Sequence, residues 1–149
     1  MKAVIQRVSD AQVVVNEEIV GKIGRGFLVL LGVGHEDGQE DIDYLISKIS
    51  QMRIFNDSDQ KMNLNLKDIS GNCLVVSQFT LFADTRKGNR PSFVKAAKPE
   101  IAREIYQRFL DQLSISISQK VESGVFGADM KVSLTNDGPV TIILDSRER

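Results

Sequence analysis

Few residues in this chain have types and spacings suited to chemistry, and what is missing narrows the options. His35 is the sole histidine and Cys73 the sole cysteine. A catalytic triad needs its histidine beside both a nucleophile and an acid. His35 sits in Gly32-Val33-Gly34-His35-Glu36-Asp37, where an apolar run gives way to a loop, and it reads as a surface loop residue. Zinc needs several His or Cys ligands, so no metal is expected. Cys73 precedes the apolar Leu74-Val75-Val76 and reads as a small buried hydrophobe rather than a reactive thiol. No P-loop signature is present, and no cofactor is expected. A hydrolase built from this inventory must draw on backbone dipoles or on its own substrate.

Four segments remain that could form a site. Ser77-Gln78-Phe79-Thr80-Leu81 follows the Leu74-Val75-Val76 run and holds two hydroxyls, an amide and an aromatic ring. At a strand end, converging backbone N–H groups can stabilise an oxyanion, and an aromatic can stack on a nucleobase. The same pentapeptide also reads as a half-buried strand with alternating packing. Residues 84–98 carry Arg86, Lys87, Arg90, Lys95 and Lys98 against the single acid Asp84, with Phe93 among them. That local excess suits phosphate, or else a solvated basic loop. Gly124-Val125-Phe126-Gly127-Ala128-Asp129-Met130 can shape a small apolar pocket, or a β-bulge or tight turn packed on the core. Asn136-Asp137-Gly138-Pro139-Val140-Thr141 carries the Asp-Gly signal of a hairpin turn. Read locally, its Gly-Pro bond is expected in trans, the common state.

Several elements must position these segments. Ala3 to Val8 and Gln12 to Val15 are rich in β-branched residues, with Asn16-Glu17-Glu18 as a hairpin turn before a return strand at Ile19 to Ile23. Gly26 to Val33 is a nearly continuous apolar run, as expected of a strand covered on both faces. From Glu40, residues Ile42, Leu45, Ile46 and Ile49 keep helical spacing, with Glu40, Asp41 and Asp43 where the helix dipole favours acids. A second helix follows Pro99, with a stripe of Ile101, Ile105, Phe109 and Leu113 widened by Ala102, Tyr106 and Leu110. Strands are expected again at Val121 to Phe126, Met130 to Leu134 and Val140 to Leu144. Runs of strands separated by two principal helices predict an α+β fold with a mainly antiparallel, barrel-like sheet. No Gly-x-Gly-x-x-Gly leads from a strand into a helix, which argues against a Rossmann fold.

The 149 residues suit a single domain, 1–149. The hydrophobic fraction of 42% and charged fraction of 26% are those of an ordinary globular protein. No run of about 18 apolar residues suggests a membrane span, and the opening residues do not read as a signal peptide. One cysteine fits a cytoplasmic protein. A formal net charge of −1 argues against coating nucleic acid through bulk charge, while leaving room for a local basic patch.

Taken in order, the four segments resemble the D-aminoacyl-tRNA deacylase (D-tyrosyl-tRNA deacylase) family, and the resemblance runs from Met1 to Ile142. It implies a homodimer that hydrolyses the ester of D-aminoacyl-tRNA, and of mischarged glycyl-tRNA, in translation quality control. It implies that Gly138-Pro139 is cis, enters the partner subunit's site and rejects L-aminoacyl groups, with Arg7 bracing the motif. Ser77, Phe79, Phe126 and Met130 are then substrate-binding, with Phe79 beside the terminal adenine. Backbone N–H groups of Gln78, Phe79 or Thr80 face the oxyanion. Thr80 is a poor nucleophile without a base, and the resemblance points instead to assistance by the RNA 2′-hydroxyl. Arg86, Lys87 and Arg90 are expected to hold the acceptor end of the tRNA. Two rivals stand beside this reading. A non-enzymatic nucleic-acid-binding module would bind RNA and release no amino acid. A small-molecule esterase using Thr80 would cleave simple esters without tRNA.

Overall fold

The computed structural model describes residues 1–148. Eight strands and two helices follow in order: β1 (Lys2–Val15), β2 (Glu18–Ile23), β3 (Gly26–Gly32), α1 (Gln39–Gln51), β4 (Phe55–Asn56), β5 (Met62–Leu64), β6 (Asn72–Ser77), α2 (Pro99–Ile117), β7 (Glu122–Ser123) and β8 (Lys131–Asp145). A 3-10 turn, Phe79–Phe82, follows β6. The turn from β1 into β2 is made by Asn16 and Glu17, both in the left-handed region at φ 49° and 69°, as a tight two-residue hairpin requires.

β1 is the hub. Its first half pairs with β3, its second half with β2, and β8 runs along its other side, all antiparallel. β3 pairs with β6 and β6 with β7 in parallel. The sheet is therefore mixed: the three ladders on β1 are antiparallel, as expected of most of the sheet, and the two ladders on β6 are parallel. The reason lies in the connections: α1 and the β4–β5 hairpin lie between β3 and β6, and α2 between β6 and β7. Crossovers of that length return the chain in the same direction. The sheet curls until β2 meets β7, forming a nearly closed, barrel-like wall. Gly21 allows that closure, since a Cβ there would stand 2.6 Å from the Ser123 carbonyl oxygen.

Two apolar clusters fill the two faces. Ala3 and Ile5 of β1, Phe27, Val29 and Leu31 of β3, and Cys73 and Val75 of β6 meet the buried stripes of α1 and α2. Val8, Ala11, Val13, Leu28, Leu74 and Val76 face the inside of the curl. This explains why β3, and β6 from Cys73 to Val76, are apolar: both of their faces are covered. In α2 the stripe is Ala102, Ile105, Tyr106, Phe109, Leu110, Leu113 and Ile117, whereas Ile101, expected within it, is 50% exposed. Its position places it on the solvent flank one step before Ala102.

Two further expectations are corrected. The strand expected from Val121 to Phe126 is only Glu122–Ser123, because the chain leaves β6 after Gly124, whose N–H still reaches Val75. The strands expected on either side of Asn136-Asp137-Gly138-Pro139 are one strand, β8, and this segment does not reverse the chain. Gln6 pairs with Thr141 and Val8 with Asn136, so residues 137–140 of β8 oppose Arg7 alone and bulge out of the ladder. One residue later Ser9 is itself extra on β1, between the Val8–Asn136 and Asp10–Thr135 pairs. That extra residue shifts which side chains of β1 face the curl, from Val8 to Ala11 and Val13.

Candidate active site

β6 ends where the chemistry of Ser77-Gln78-Phe79-Thr80-Leu81 begins. The Gln78 N–H donates to the Leu31 carbonyl at 2.8 Å, extending the parallel ladder by one residue. The chain then enters the 3-10 turn, in which Ala83 N–H donates to Thr80 O at 3.0 Å. Phe79 and Thr80 open this turn, so their N–H groups have no acceptor within it. Gln78 differs, since its N–H is already committed to Leu31. The Gln78 side-chain amide donates to the Thr80 hydroxyl in a close contact. Among the described residues no carboxylate or imidazole pairs with the Thr80 hydroxyl.

Beside this strand end lies a cavity of about 640 Å³. Ser77, Gln78 and Phe79 form one part of its wall, Phe93 and Lys98 another, and Phe126 and Met130 a third. Tyr106 of α2 contributes to it as well. Three segments singled out from the sequence thus meet around one largely apolar space, which is how small-ligand sites are built. Phe79 is 58% exposed, and its ring meets that of Phe93 edge to face at 5.1 Å. Exposed Phe79, backed by half-buried Phe93, offers a stacking surface to a planar ring.

The glycine turn is shaped by close approach. A Cβ on Gly124 would meet the Met130 sulfur at 2.4 Å, and Gly127 adopts φ +79°. Gly124 N–H and the Tyr106 hydroxyl both donate to the Val75 carbonyl, at 3.2 and 2.8 Å. Burial, opposed by a side-chain hydrogen bond with Ser123, holds the Tyr106 hydroxyl well above the usual phenol range, so it stays a neutral donor. Phe126 packs on Tyr106, with ring centres 5.7 Å apart.

The Gly138-Pro139 segment is elsewhere. Both residues are exposed, neither lines the cavity, and the peptide bond between them is cis, against the local expectation of trans. Gly138 has φ +151°, and a Cβ there would stand 2.7 Å from the Val140 nitrogen. The base of the bulge is stapled by Asn136, whose Oδ1 accepts from Val140 N–H at 2.8 Å. Its Nδ2 donates to Thr141 Oγ1 at 3.1 Å. Arg7 fills the space beneath. It is 7% exposed, donates from Nε to the Asp137 carbonyl at 2.7 Å, and from Nη1 to the Ile54 carbonyl at 2.6 Å.

The basic loop also lies mostly outside the cavity wall. Asp84 and Ser92 pair across its base. Arg86 folds back onto Asp84, and its hydrogen bonds hold that carboxyl well below the usual carboxylate range. Lys87 and Arg90 are exposed. His35 is exposed, and its Nε2 contacts the Val94 carbonyl at 2.5 Å, consistent with a loop residue. Among the described residues no His, Cys, Asp and Glu cluster suited to a metal ion occurs. Cys73 is fully buried, and burial pushes its thiol up to about 12. No helix among the described residues is long and apolar enough to cross a membrane.

Sequence reading missed what lies between the motifs. Tyr106 belongs to the core stripe of α2, yet it also shapes the cavity. Lys98 reads as loop charge, yet it lines the wall. Neither carries a local signal, because both roles arise from where the start of α2 lands.

Comparison with known proteins agrees with this geometry. Residues 4–145 match the family described as D-Tyr-tRNA(Tyr) deacylase. A D-aminoacyl-tRNA deacylase of Flavobacterium psychrophilum is 58% identical over 149 residues, spanning 100% of this chain and 99% of that one. One from Christiangramia forsetii is 55% identical over the same shares. A solved structure named c-Myc DNA Unwinding Element Binding Protein is 43% identical, with a TM-score of 0.92, covering 97% of this chain and 98% of its own. The site at the end of β6, the bulge of β8 and nearly the whole length between them fall within the matched span, and the chain belongs to the D-Tyr-tRNA(Tyr) deacylase family.

Proposed function

We propose that this protein hydrolyses the ester linking a D-amino acid to the terminal ribose of tRNA, releasing free D-amino acid and tRNA. The observation that carries the reading is the end of β6. There two N–H groups without partners in their own turn, on Phe79 and Thr80, stand beside an apolar cavity edged by an aromatic pair. The family and the D-aminoacyl-tRNA deacylases similar to this chain support it.

In this mechanism the terminal adenine rests against Phe79, and Phe126 and Met130 line the space near the aminoacyl group and adenosine. The N–H groups of Phe79 and Thr80 receive the charge that develops on the ester oxygen. Gln78 acts through its side chain, holding the Thr80 hydroxyl. With no base at that hydroxyl, the 2′-hydroxyl of the RNA assists the reaction and Thr80 positions.

Chiral selection falls to Gly138-Pro139. D and L isomers exchange a hydrogen and a side chain at one carbon. A wall of backbone carbonyls excludes one arrangement and accepts hydrogen bonds from the α-ammonium group. Unlike a side chain, such a wall has no rotamer to swing aside. Within one chain the bulge is exposed and takes no part in the cavity wall, which supports a homodimer in which each bulge serves the partner's site. Glycine has no side chain to reject, so glycyl-tRNA is cleaved as well. The natural setting is the cytoplasm, where aminoacyl-tRNA is made. Matched D- and L-aminoacyl-tRNA test the reading: amino acid is released from D and not from L, and equal release from both would end the chiral assignment.

A second reading is binding of nucleic acid without hydrolysis. Exposed Phe79, packed on Phe93 near basic residues, favours it, as does the name of the relative called a DNA unwinding element binding protein. It predicts equal affinity for charged and uncharged tRNA and no released amino acid.

A further inference from the structure

Arg103 lies on α2, in the same helical face as Pro99, Ala102 and Tyr106. Pro99, Ala102 and Tyr106 line the cavity. The Arg103 guanidinium lies over the ring of Phe126, 5.1 Å from its centre, and Phe126 is part of the cavity wall. Its state differs from that of several other arginines. Arg7 is committed to carbonyls, Arg53 to Asn63, Arg86 to Asp84, and Arg147 to Asp37 and Glu36. Among the described residues the Phe126 ring is the one partner of Arg103.

We infer that Arg103 is a substrate-positioning residue that binds the phosphodiester joining the terminal adenosine to the rest of the tRNA. The inference rests on the deacylase reading, and extends it to a residue outside the basic loop. A substrate whose terminal nucleoside enters the cavity must leave its 5′ phosphate at the rim, because an apolar wall cannot take a charge without partners. A guanidinium held over an aromatic face by its attraction to the ring is restrained before any ligand arrives. It therefore loses little freedom when it meets a phosphate. And with no carboxylate paired to it, Arg103 gives up no ion pair on binding. Lys98, also on the cavity wall, adds to the same positive edge.

The test separates charge from packing. Arg103→Met keeps an unbranched side chain to cover Phe126 and removes the cation. Arg103→Lys keeps the cation and removes the planar fork. Each is assayed on D-aminoacyl-tRNA and on a D-aminoacyl-adenosine that lacks the phosphate. Arg103→Met is expected to raise KM for the tRNA about tenfold with kcat within about twofold, the size of one charged contact. It should also reduce the slope of log KM against log salt by roughly 0.7–0.9, the signature of one lost phosphate contact. KM for the aminoacyl-adenosine should not change, and Arg103→Lys should fall between wild type and Arg103→Met on the tRNA. A tRNA KM unchanged in Arg103→Met overturns the inference. So does an equal rise on both substrates, which would make Arg103 a support for Phe126 alone. Failure of the wild-type protein to release any D-amino acid would instead overturn the deacylase reading.

Discussion

Arg7 holds the carbonyl of Asp137 at 2.7 Å from a position 130 residues earlier in the chain. The same guanidinium reaches the Ile54 carbonyl at 2.6 Å. One buried cation thereby ties the bulge of β8 to the segment leading into β4. Arg7 is also the single β1 residue opposite the four bulged residues, so the side chain under the bulge comes from the position where the ladder is missing.

Replacing Arg7 with alanine leaves both carbonyls without their charged donor. Hydrogen bonds to charged groups contribute about 1.5–3 kcal/mol each, so losing two should cost about 3–6 kcal/mol, read as a lower midpoint in urea. If the bulge selects chirality, the same variant should also release L-amino acid from L-aminoacyl-tRNA. Arg7→Lys should recover part of the stability, because an ammonium reaches one carbonyl and not two. Unaltered discrimination in Arg7→Ala would detach this brace from selection.

Thr80→Ala should retain deacylation within about tenfold of wild type, since no base stands ready to activate the hydroxyl. A substrate ending in 2′-deoxyadenosine should not be hydrolysed. Single-turnover rates on both decide the matter: abolished turnover in Thr80→Ala with normal tRNA binding would restore the nucleophile.

The basic loop should not respond uniformly. Arg86 is already paired with Asp84, whereas Lys87 and Arg90 face solvent. Lys87→Ala or Arg90→Ala should therefore weaken tRNA binding and flatten its salt dependence more than Arg86→Ala does. Filter binding across a range of salt reads this directly, and identical salt slopes in all variants would return the loop to a solvated one.

The Asp84–Arg86 pair also sets a pH window. The Asp84 carboxyl is held below its ordinary value of 3.8, chiefly by the Arg86 hydrogen bonds. A depressed carboxyl pKa gives a contribution that is present above the unfolded value and lost as pH falls through the folded one. Loop geometry should thus be constant from pH 5 to 8, on the order of any assay range, and change only in stronger acid. A loop chemical shift that titrates near neutrality would contradict this.

Cys73 should be inert in the folded protein. Its thiol is buried and pushed up to about 12, so almost no thiolate is present at pH 8. Iodoacetamide should leave activity intact, and labelling should appear only with denaturant. Rapid labelling of native protein would show that β6 opens locally.

Local patterns made much of the fold legible. The period of Ile42, Leu45, Ile46 and Ile49 and the Pro99 start marked both helices, because each depends on contacts a few residues apart. The continuous apolar run of β3 announced burial on both faces. The direction of β6 and β7 was not legible, since their own residues look the same in a parallel or an antiparallel ladder. Direction follows from the crossovers that α1 and α2 make. The site was legible in part. Ser77 to Leu81 and Gly124 to Met130 stood out by type, whereas Tyr106, Lys98 and Arg103 were hidden among ordinary helix and loop residues.

The sequence by itself determined the chemistry available: one histidine, one buried cysteine, a strand end carrying Phe79 and Thr80, and a segment with Gly138-Pro139. Only the tertiary structure decided what that segment is. Asp-Gly-Pro between β-rich stretches is the local signature of a chain reversal. Here both flanks pair with β1 in one direction, and residues 137–140 are pushed out of the ladder as a bulge. A turn signal is read from neighbours in sequence. Strand pairing is settled by a partner more than a hundred residues away, and by the buried guanidinium of Arg7 beneath it.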